Sequence, residues 1–255
     1  MIIIKTDKEI EKMRRAGQRL ARLLDELLPK IVKEGTSAEE IELYVLKYVD
    51  EVGGIPTFKG YAEYPYATNI SVNEEVVHGF PLKEKIFKYG DLVSVDCGIT
   101  LDGYVADSAR TYIVGEVNEE ERKLVEATKE SLLIGAKQAI IGNRIGDIGH
   151  AVQEYIEGQG FSVIRDFVGH GVGRKLHEDP QVPNYGKIGK GPKIRKNMTL
   201  AIEPMVAMGD WQVKILDDGW TTITRDGSKA AHFEYTVAVT ENGPEVLTSL
   251  EYNSL

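Results

Sequence analysis

After a short apolar run, the chain falls into helical periodicity. Thr6-Asp7-Lys8-Glu9 reads as a capping box, in which side chains satisfy the free N–H groups at a helix start. Ile10, Met13, Ala16, Leu20, Leu23, Leu24 and Leu27 follow at the spacing that builds one apolar stripe. Ser37 to Glu40 starts a second helix that runs through Tyr48 and ends near Gly53-Gly54. The pattern then turns strand-like in ATNISVN, LVSVDCGIT and YVADSARTYIVG.

The second half repeats that order. Asn118 to Glu121 caps a long helix over residues 119 to 140, and Ile148 to Ile156 forms another, closed by Gly158 and Gly160. The strand-like runs FSVIRDFVG, TLAIEPMVA, WQVKIL, WTTITR and HFEYTVAVT follow. Two helices and then several strands, twice over, predict an α+β protein with internal pseudo-symmetry, although no residue-level repeat accompanies it.

Composition adjusts this picture only slightly. No Pro/Gly/Ser-rich linker divides the 255 residues, so we expect one domain over residues 1–255. A formal charge of −9 argues against general nucleic-acid binding, which needs surplus cations. Cys97 is the single cysteine, which excludes an intrachain disulfide and suits a reducing cytoplasm. The N-terminus lacks the marks of a signal peptide, and no segment approaches the roughly 20 apolar residues of a membrane helix. A soluble cytoplasmic protein is expected.

The chemistry is concentrated in acids set among apolar residues. VSVDCGITLDGYVADSARTY predicts a hairpin turning at Asp102-Gly103. In that register Asp107 faces Gly98, two positions from Asp96; with the loop at Leu101-Asp102, Asp96 faces Asp107 directly. Either register puts both carboxylates on one face, within about 5–8 Å, whereas a three-residue loop would separate them. Hydrogen bonding to turn backbone, or pairing with Arg110, would be the plainer explanation. Glu203 in TLAIEPMVA and Glu234 in HFEYTVAV are similarly placed, and charged groups are almost never fully buried without a partner.

Four such acids plus a glycine-bounded histidine in GHGVGRKLHEDP form an oxygen-rich, one-imidazole donor set suited to divalent Mn, Fe, Co or Zn. Two divalent cations would balance the four carboxylates and could activate a water. GHGVGR lacks the third glycine of a dinucleotide loop, and HEDPQ departs from the zinc motif HExxH. Its glycines can allow close backbone approach or unusual dihedrals. His78 and His177 are further candidates, while His150 and His232 read as ordinary structural histidines.

Taken together, SVNEEVVHGFP, VSVDCG with GYVADSARTY, VGHGVGRKLHEDPQVPNYG, TLAIEPM and HFEYT closely resemble type I methionine aminopeptidases, essentially end to end. The resemblance implies the pita-bread (creatinase/aminopeptidase) fold, a pseudo-twofold α+β domain whose central curved antiparallel sheet is flanked by helices. It implies two metal ions held by Asp96, Asp107, His170, Glu203 and Glu234. Asp107 and Glu234 would bridge the ions, His170 and Glu203 would complete one, and Asp96 the other. His78 and His177 would hydrogen-bond the scissile peptide, and Glu203 would shuttle the proton. Tyr61, Tyr64 and Trp220 match walls of the methionine pocket, with Leu176 a weaker match.

Two departures stand out. Asn69 occupies a position where many relatives carry Cys, and Tyr235 follows Glu234 where relatives usually have His. The implied activity is removal of initiator methionine from nascent peptides whose second residue is small. Its partners would be nascent N-termini, with the ribosome as candidate meeting place, and the chain would be a monomer. A proline-directed aminopeptidase or dipeptidase of the same fold is the nearest rival, though such relatives usually carry an extra N-terminal domain. A metal-free peptide-binding module of this fold is a second rival, but it would be expected to lose ligands. The type II branch is disfavoured, because no insertion separates GHGVGRKLHEDP from TLAIEPM.

Overall fold

The computed structural model describes residues 1–252 together with 254 and 255. Helix α1 spans Asp7–Arg22, and its capping box forms as expected: Glu9 N–H donates to Thr6 Oγ1, and Thr6 N–H to Glu9 Oε2. The helix then widens into a π-turn at Leu23–Leu27 before a 3₁₀ turn at Leu28–Lys30. A π-turn adds a residue and rotates the stripe, so Leu28 is fully buried where Leu27 was expected. Helix α2 (Ala38–Glu51) starts at Ser37 and passes Tyr48, with Gly53 following at φ 71°.

Helix α3 (Glu119–Lys137) begins at Asn118 but stops short of residue 140. Gln138 and Ala139 each donate to a carbonyl three residues back, which tightens the last turn and ends the helix. Helix α4 (Ile145–Gly158) starts three residues earlier than its apolar pattern suggests. The N–H of the preceding residue, Arg144, donates to the Asp147 carboxylate at 2.7 Å. Arginine is not a residue type that announces a cap.

Leu92–Leu101 and Tyr104–Ile113 form the central hairpin. Leu101 faces Tyr104, so Asp102-Gly103 is the loop, and its φ values of 51° and 76° are those of a type I′ turn. Asp107 faces Gly98 and Asp96 faces Ala109, the first of the two expected registers. On the other edge of Leu92–Leu101 lies Thr68–Val72, with Asn69 opposite Asp96.

The second half supplies a five-stranded antiparallel sheet in the order Gly243–Val246, Tyr235–Thr240, Thr199–Ile202, Gly169–Gly171, Glu178–Val182. A bridge between Ala109 and Glu234 joins it to the hairpin. TLAIEPMVA and HFEYTVAVT are not single strands. Each splits, into Thr199–Ile202 with Met205–Ala207 and Ala230–His232 with Tyr235–Thr240. Ile202 pairs with Tyr235 in one sheet and Met205 with His232 in another, so both segments change sheet at the same place. Glu203 and Glu234 occupy the gaps. FSVIRDFVG is interrupted similarly, with only Ser162–Val163 and Gly169–Gly171 pairing and Arg165 and Asp166 exposed between them.

Helix α1, the π-turn after it and helix α2 cover the first sheet through Leu20, Leu24, Ile41 and Val45 against Val93, Val95 and Ile99. Helices α3 and α4 cover the second through Leu132, Ile148 and Val152 against Leu200, Ile202 and Val237. This is the expected α+β fold, with two helix-backed halves around a curved antiparallel centre. Among the described residues no helix is long and apolar enough to cross a membrane.

Candidate metal centre and active site

One cleft gathers Asp96, Asp107, His170, Glu203, Glu234, His78, His177, Tyr61, Tyr64, Asn69, Leu176 and Trp220. Every site residue expected from the sequence therefore lies in the same place. The hairpin presents the two aspartates, the two sheet-switching gaps present the glutamates, and strand Gly169–Gly171 presents His170.

Its glycines act by close approach. A Cβ at Gly169 would stand 2.3 Å from Ala201 O, at Gly171 2.2 Å from Asp179 O, and at Gly173 2.5 Å from Lys5 Cε. None of the three is among the glycines with positive φ, so the alternative use of these glycines, unusual dihedrals, does not apply. His170 and His177 are brought side by side, their ring centroids 4.2 Å apart. His78 takes φ 60°, a costly conformation for a non-glycine residue. Its ring lies edge-on to Phe167 and Trp220.

The acids lie close together, and no Lys or Arg side chain pairs with them among the described residues. One ligand atom from each of Asp107, His170 and Glu234 lies within 4.8 Å of the others. His170 Nε2 is 3.6 Å from Asp107 Oδ2 and 3.4 Å from Glu203 Oε1. Asp96 Oδ1, Asp107 Oδ1 and Glu234 Oε1 are buried with no hydrogen-bond partner. Arg110 does not neutralise the aspartates, contrary to the plainer explanation. It turns to the back of the sheet, pairing with Asp25 at 2.9 Å and donating to the carbonyls of Ala109, Glu234 and Thr248.

Burial therefore pushes Asp96 up to about 7. Burial first, and then the neighbouring carboxylates, hold Asp107, Glu203 and Glu234 well above the usual carboxylate range. Burial drives His170 down to about 3 and His78 to about 4, and lowers His177 as well. The site thus offers neutral imidazoles and stranded carboxylate oxygens. That donor set fits divalent metal ions, which would relieve the mutual repulsion.

The other half of the cleft is apolar. Tyr64 packs edge-on against Trp220 at 5.0 Å, its hydroxyl bonded to Thr68 O. Phe58 and Leu176 close the cup, and both are buried. The two departures also find their places. Asn69 donates to Asp96 Oδ2 at 2.8 Å, while Tyr235 points away from the cleft, beneath the Arg110 guanidinium that holds the Glu234 carbonyl.

Three further residues were not singled out by sequence. Phe58 has no distinguishing signal. Asn184, in VPNYG, is fully buried and donates to the Glu203 carbonyl at 3.0 Å. His232, expected to be structural, sits 1% exposed beside Glu203.

Residues 11–241 match metallopeptidase family M24. The chain belongs to metallopeptidase family M24. Membership implies divalent-metal binding, which the donor set fits. The chain is 49% identical over 251 residues to a methionine aminopeptidase of Clostridium acetobutylicum, covering 98% of this chain and 100% of that protein. The crystal structure of methionine aminopeptidase from Thermotoga maritima superposes with a TM-score of 0.96 at 55% identity, covering 98% and 100% of the two chains. The prolidase of Pyrococcus furiosus shares the fold at a TM-score of 0.78 and 25% identity. That match covers 97% of this M24 chain but only 65% of the prolidase.

Proposed function

We propose that this chain removes the N-terminal methionine from nascent polypeptides, preferring a small second residue, at a centre of two divalent ions held by Asp96, Asp107, His170, Glu203 and Glu234. The observation that carries this reading is a buried, unneutralised group of four carboxylates and one imidazole on the floor of an apolar cup. Asp107, His170 and Glu234 bring ligand atoms within 4.8 Å of one another, and four carboxylates balance the charge of two divalent ions. Cobalt, manganese, iron and zinc all fit this mixed oxygen and nitrogen set. The ions supply Lewis acidity and a water of lowered pKa.

The chain's own residues supply the rest. Tyr64, Trp220, Phe58 and Leu176 enclose one apolar side chain. His78 and His177, kept neutral by burial, donate hydrogen bonds to the peptide as charge develops on its carbonyl oxygen. Glu203 accepts the proton of the attacking water and passes it to the leaving amine. The reaction is placed in the cytoplasm, with a monomeric enzyme meeting its substrates at the ribosome.

Donation by His177 requires its proton on Nε2. Tyr61 Oη lies 2.7 Å from Nδ1, and in this reading its O–H donates there and holds that tautomer. Tyr61→Phe keeps the pocket wall and loses only this bond, so steady-state kinetics should show kcat lower by roughly two- to tenfold with little change in KM. Asn69→Leu removes the donor that orients Asp96. Isothermal titration should then show metal affinity weakened by about 10–100-fold.

Release of methionine from Met-Ala-Ser, compared with cleavage of Xaa-Pro and Met-Pro-Xaa peptides, tests the activity. Faster turnover of Met-Ala-Ser supports the proposal. Faster cleavage before or after proline would transfer the site to the prolidase-like activity, and no cleavage with any divalent metal would leave a binding module.

A further inference from the structure

His232 is the one buried imidazole at this centre to which the reaction assigns no task. It ends strand Ala230–His232, opposite Met205, one rung before the chain segments bearing Glu203 and Glu234 diverge. Its backbone is clamped on both sides by one hydroxyl: His232 N–H donates to Thr111 Oγ1, and Thr111 Oγ1 donates to His232 O. The backbone that carries the imidazole is therefore fixed. Yet Nε2 is buried and has no hydrogen-bond partner, and leaving a buried polar atom unpaired is costly.

The acidic atom Nε2 faces is Glu203 Oε2, 3.9 Å away. Glu203 lies between two histidines, Oε1 at 3.4 Å from His170 and Oε2 towards His232. Its main chain is fixed independently by Asn184, whose amide donates to the Glu203 carbonyl. The two oxygens thus have different neighbours: one faces the proposed ligand cluster, the other the imidazole of His232.

We propose that His232 is a positioning residue for Glu203, its Nε2–H donating to Oε2 in the loaded, substrate-bound enzyme. The gap of 3.9 Å closes with a small rotation of the carboxylate, and catalytic hydrogen bonds commonly tighten only on substrate binding. The inference rests on the reading that Glu203 carries the proton. In each cycle the attacking water forms the new C–O bond and gives its proton to Glu203, the C–N bond breaks, and the proton leaves on the amine. His232 keeps its own proton throughout. Its hydrogen bond returns Glu203 to the same orientation in each cycle.

The test compares His232→Leu, which fills the space without a donor, with His232→Gln, which restores an N–H donor of similar reach. Bound Mn²⁺ per chain, melting temperature, and kcat and KM for Met-Ala-Ser are measured for both variants beside the unaltered chain. The leucine variant should bind as many ions as the unaltered chain, with KM within about threefold and kcat down by roughly 10–100-fold. The glutamine variant should recover most of that loss.

A leucine variant with unaltered kcat would overturn the proposal. So would loss of an ion in that variant, which would make His232 a ligand, or equal losses in both variants, which would reduce it to packing. Failure of the unaltered chain to release methionine with any metal would instead remove the activity itself, and with it the role of Glu203.

Discussion

His177→Ala should retain its metal and lose turnover, while His170→Ala should lose metal. The two rings lie 4.2 Å apart, one on strand Gly169–Gly171 and the other in the bend after it, yet their surroundings divide them. His170 Nδ1 bonds the Gly171 carbonyl at 2.9 Å, leaving Nε2 to face Asp107 and Glu203 among the carboxylates. A histidine whose second nitrogen is tied to a carbonyl has the arrangement usual for a metal ligand. His177 has Nδ1 on Tyr61 and no carboxylate partner. Its loss removes one donor to the developing oxyanion, an effect of about 10²–10³ in kcat. Metal analysis of both variants, with kcat for Met-Ala-Ser, checks this. Equal metal loss in the two would contradict the division.

Metal removal should make stability fall as pH rises. Asp96 is pushed up to about 7 from an ordinary 3.8, and its three acidic neighbours are raised as well. A carboxyl whose folded pKa lies above its unfolded value binds more protons when folded. Its contribution to stability is then full below the unfolded pKa and is lost as pH climbs through the folded one. For Asp96 that window runs from about pH 4 to 7, and the neighbours extend it upward.

Three pH units correspond to about 4 kcal/mol. At roughly 2–4 °C per kcal/mol for a chain of this size, the metal-free melting temperature should drop by on the order of 10 °C across the window. Saturating metal keeps the carboxylates ionised, removes this slope, and adds about 4 kcal/mol at a thousandfold excess over Kd. Calorimetry from pH 4.5 to 8, with and without Mn²⁺, reads both effects. A flat metal-free profile would mean the acids are neutralised in some other way.

Much of the fold and the site is legible in the sequence because the signals are local. The capping boxes at Thr6, Ser37 and Asn118 and the Asp102-Gly103 turn each draw on a few adjacent residues, and all four form as expected. That turn fixes which face carries Asp96 and Asp107. Sequence pattern fails where tertiary contacts decide. Nothing in TLAIEPMVA or HFEYTVAVT announces that both runs change sheet at Glu203 and Glu234, because the change depends on pairing with each other and with the hairpin.

The π-turn that moves burial from Leu27 to Leu28 is invisible to a fixed helical period. The partner of Arg110 is equally hidden, since Asp25 lies 85 residues away. His232 reads as structural for the same reason: its neighbour Glu203 approaches only through the Met205 rung. Asn69 stands out in the sequence only as a departure in the pocket, and its bond to Asp96 depends on strand register.

The proposed centre has five side chains on separate segments binding two ions in one cleft. The most direct measurement of this is an anomalous difference map at the manganese absorption edge, from crystals grown with Mn²⁺. Two peaks are expected, both ligated by Asp107 and Glu234, one completed by His170 and Glu203 and the other by Asp96. Peaks lying elsewhere, or a single ion with Asp96 unligated, would contradict that arrangement.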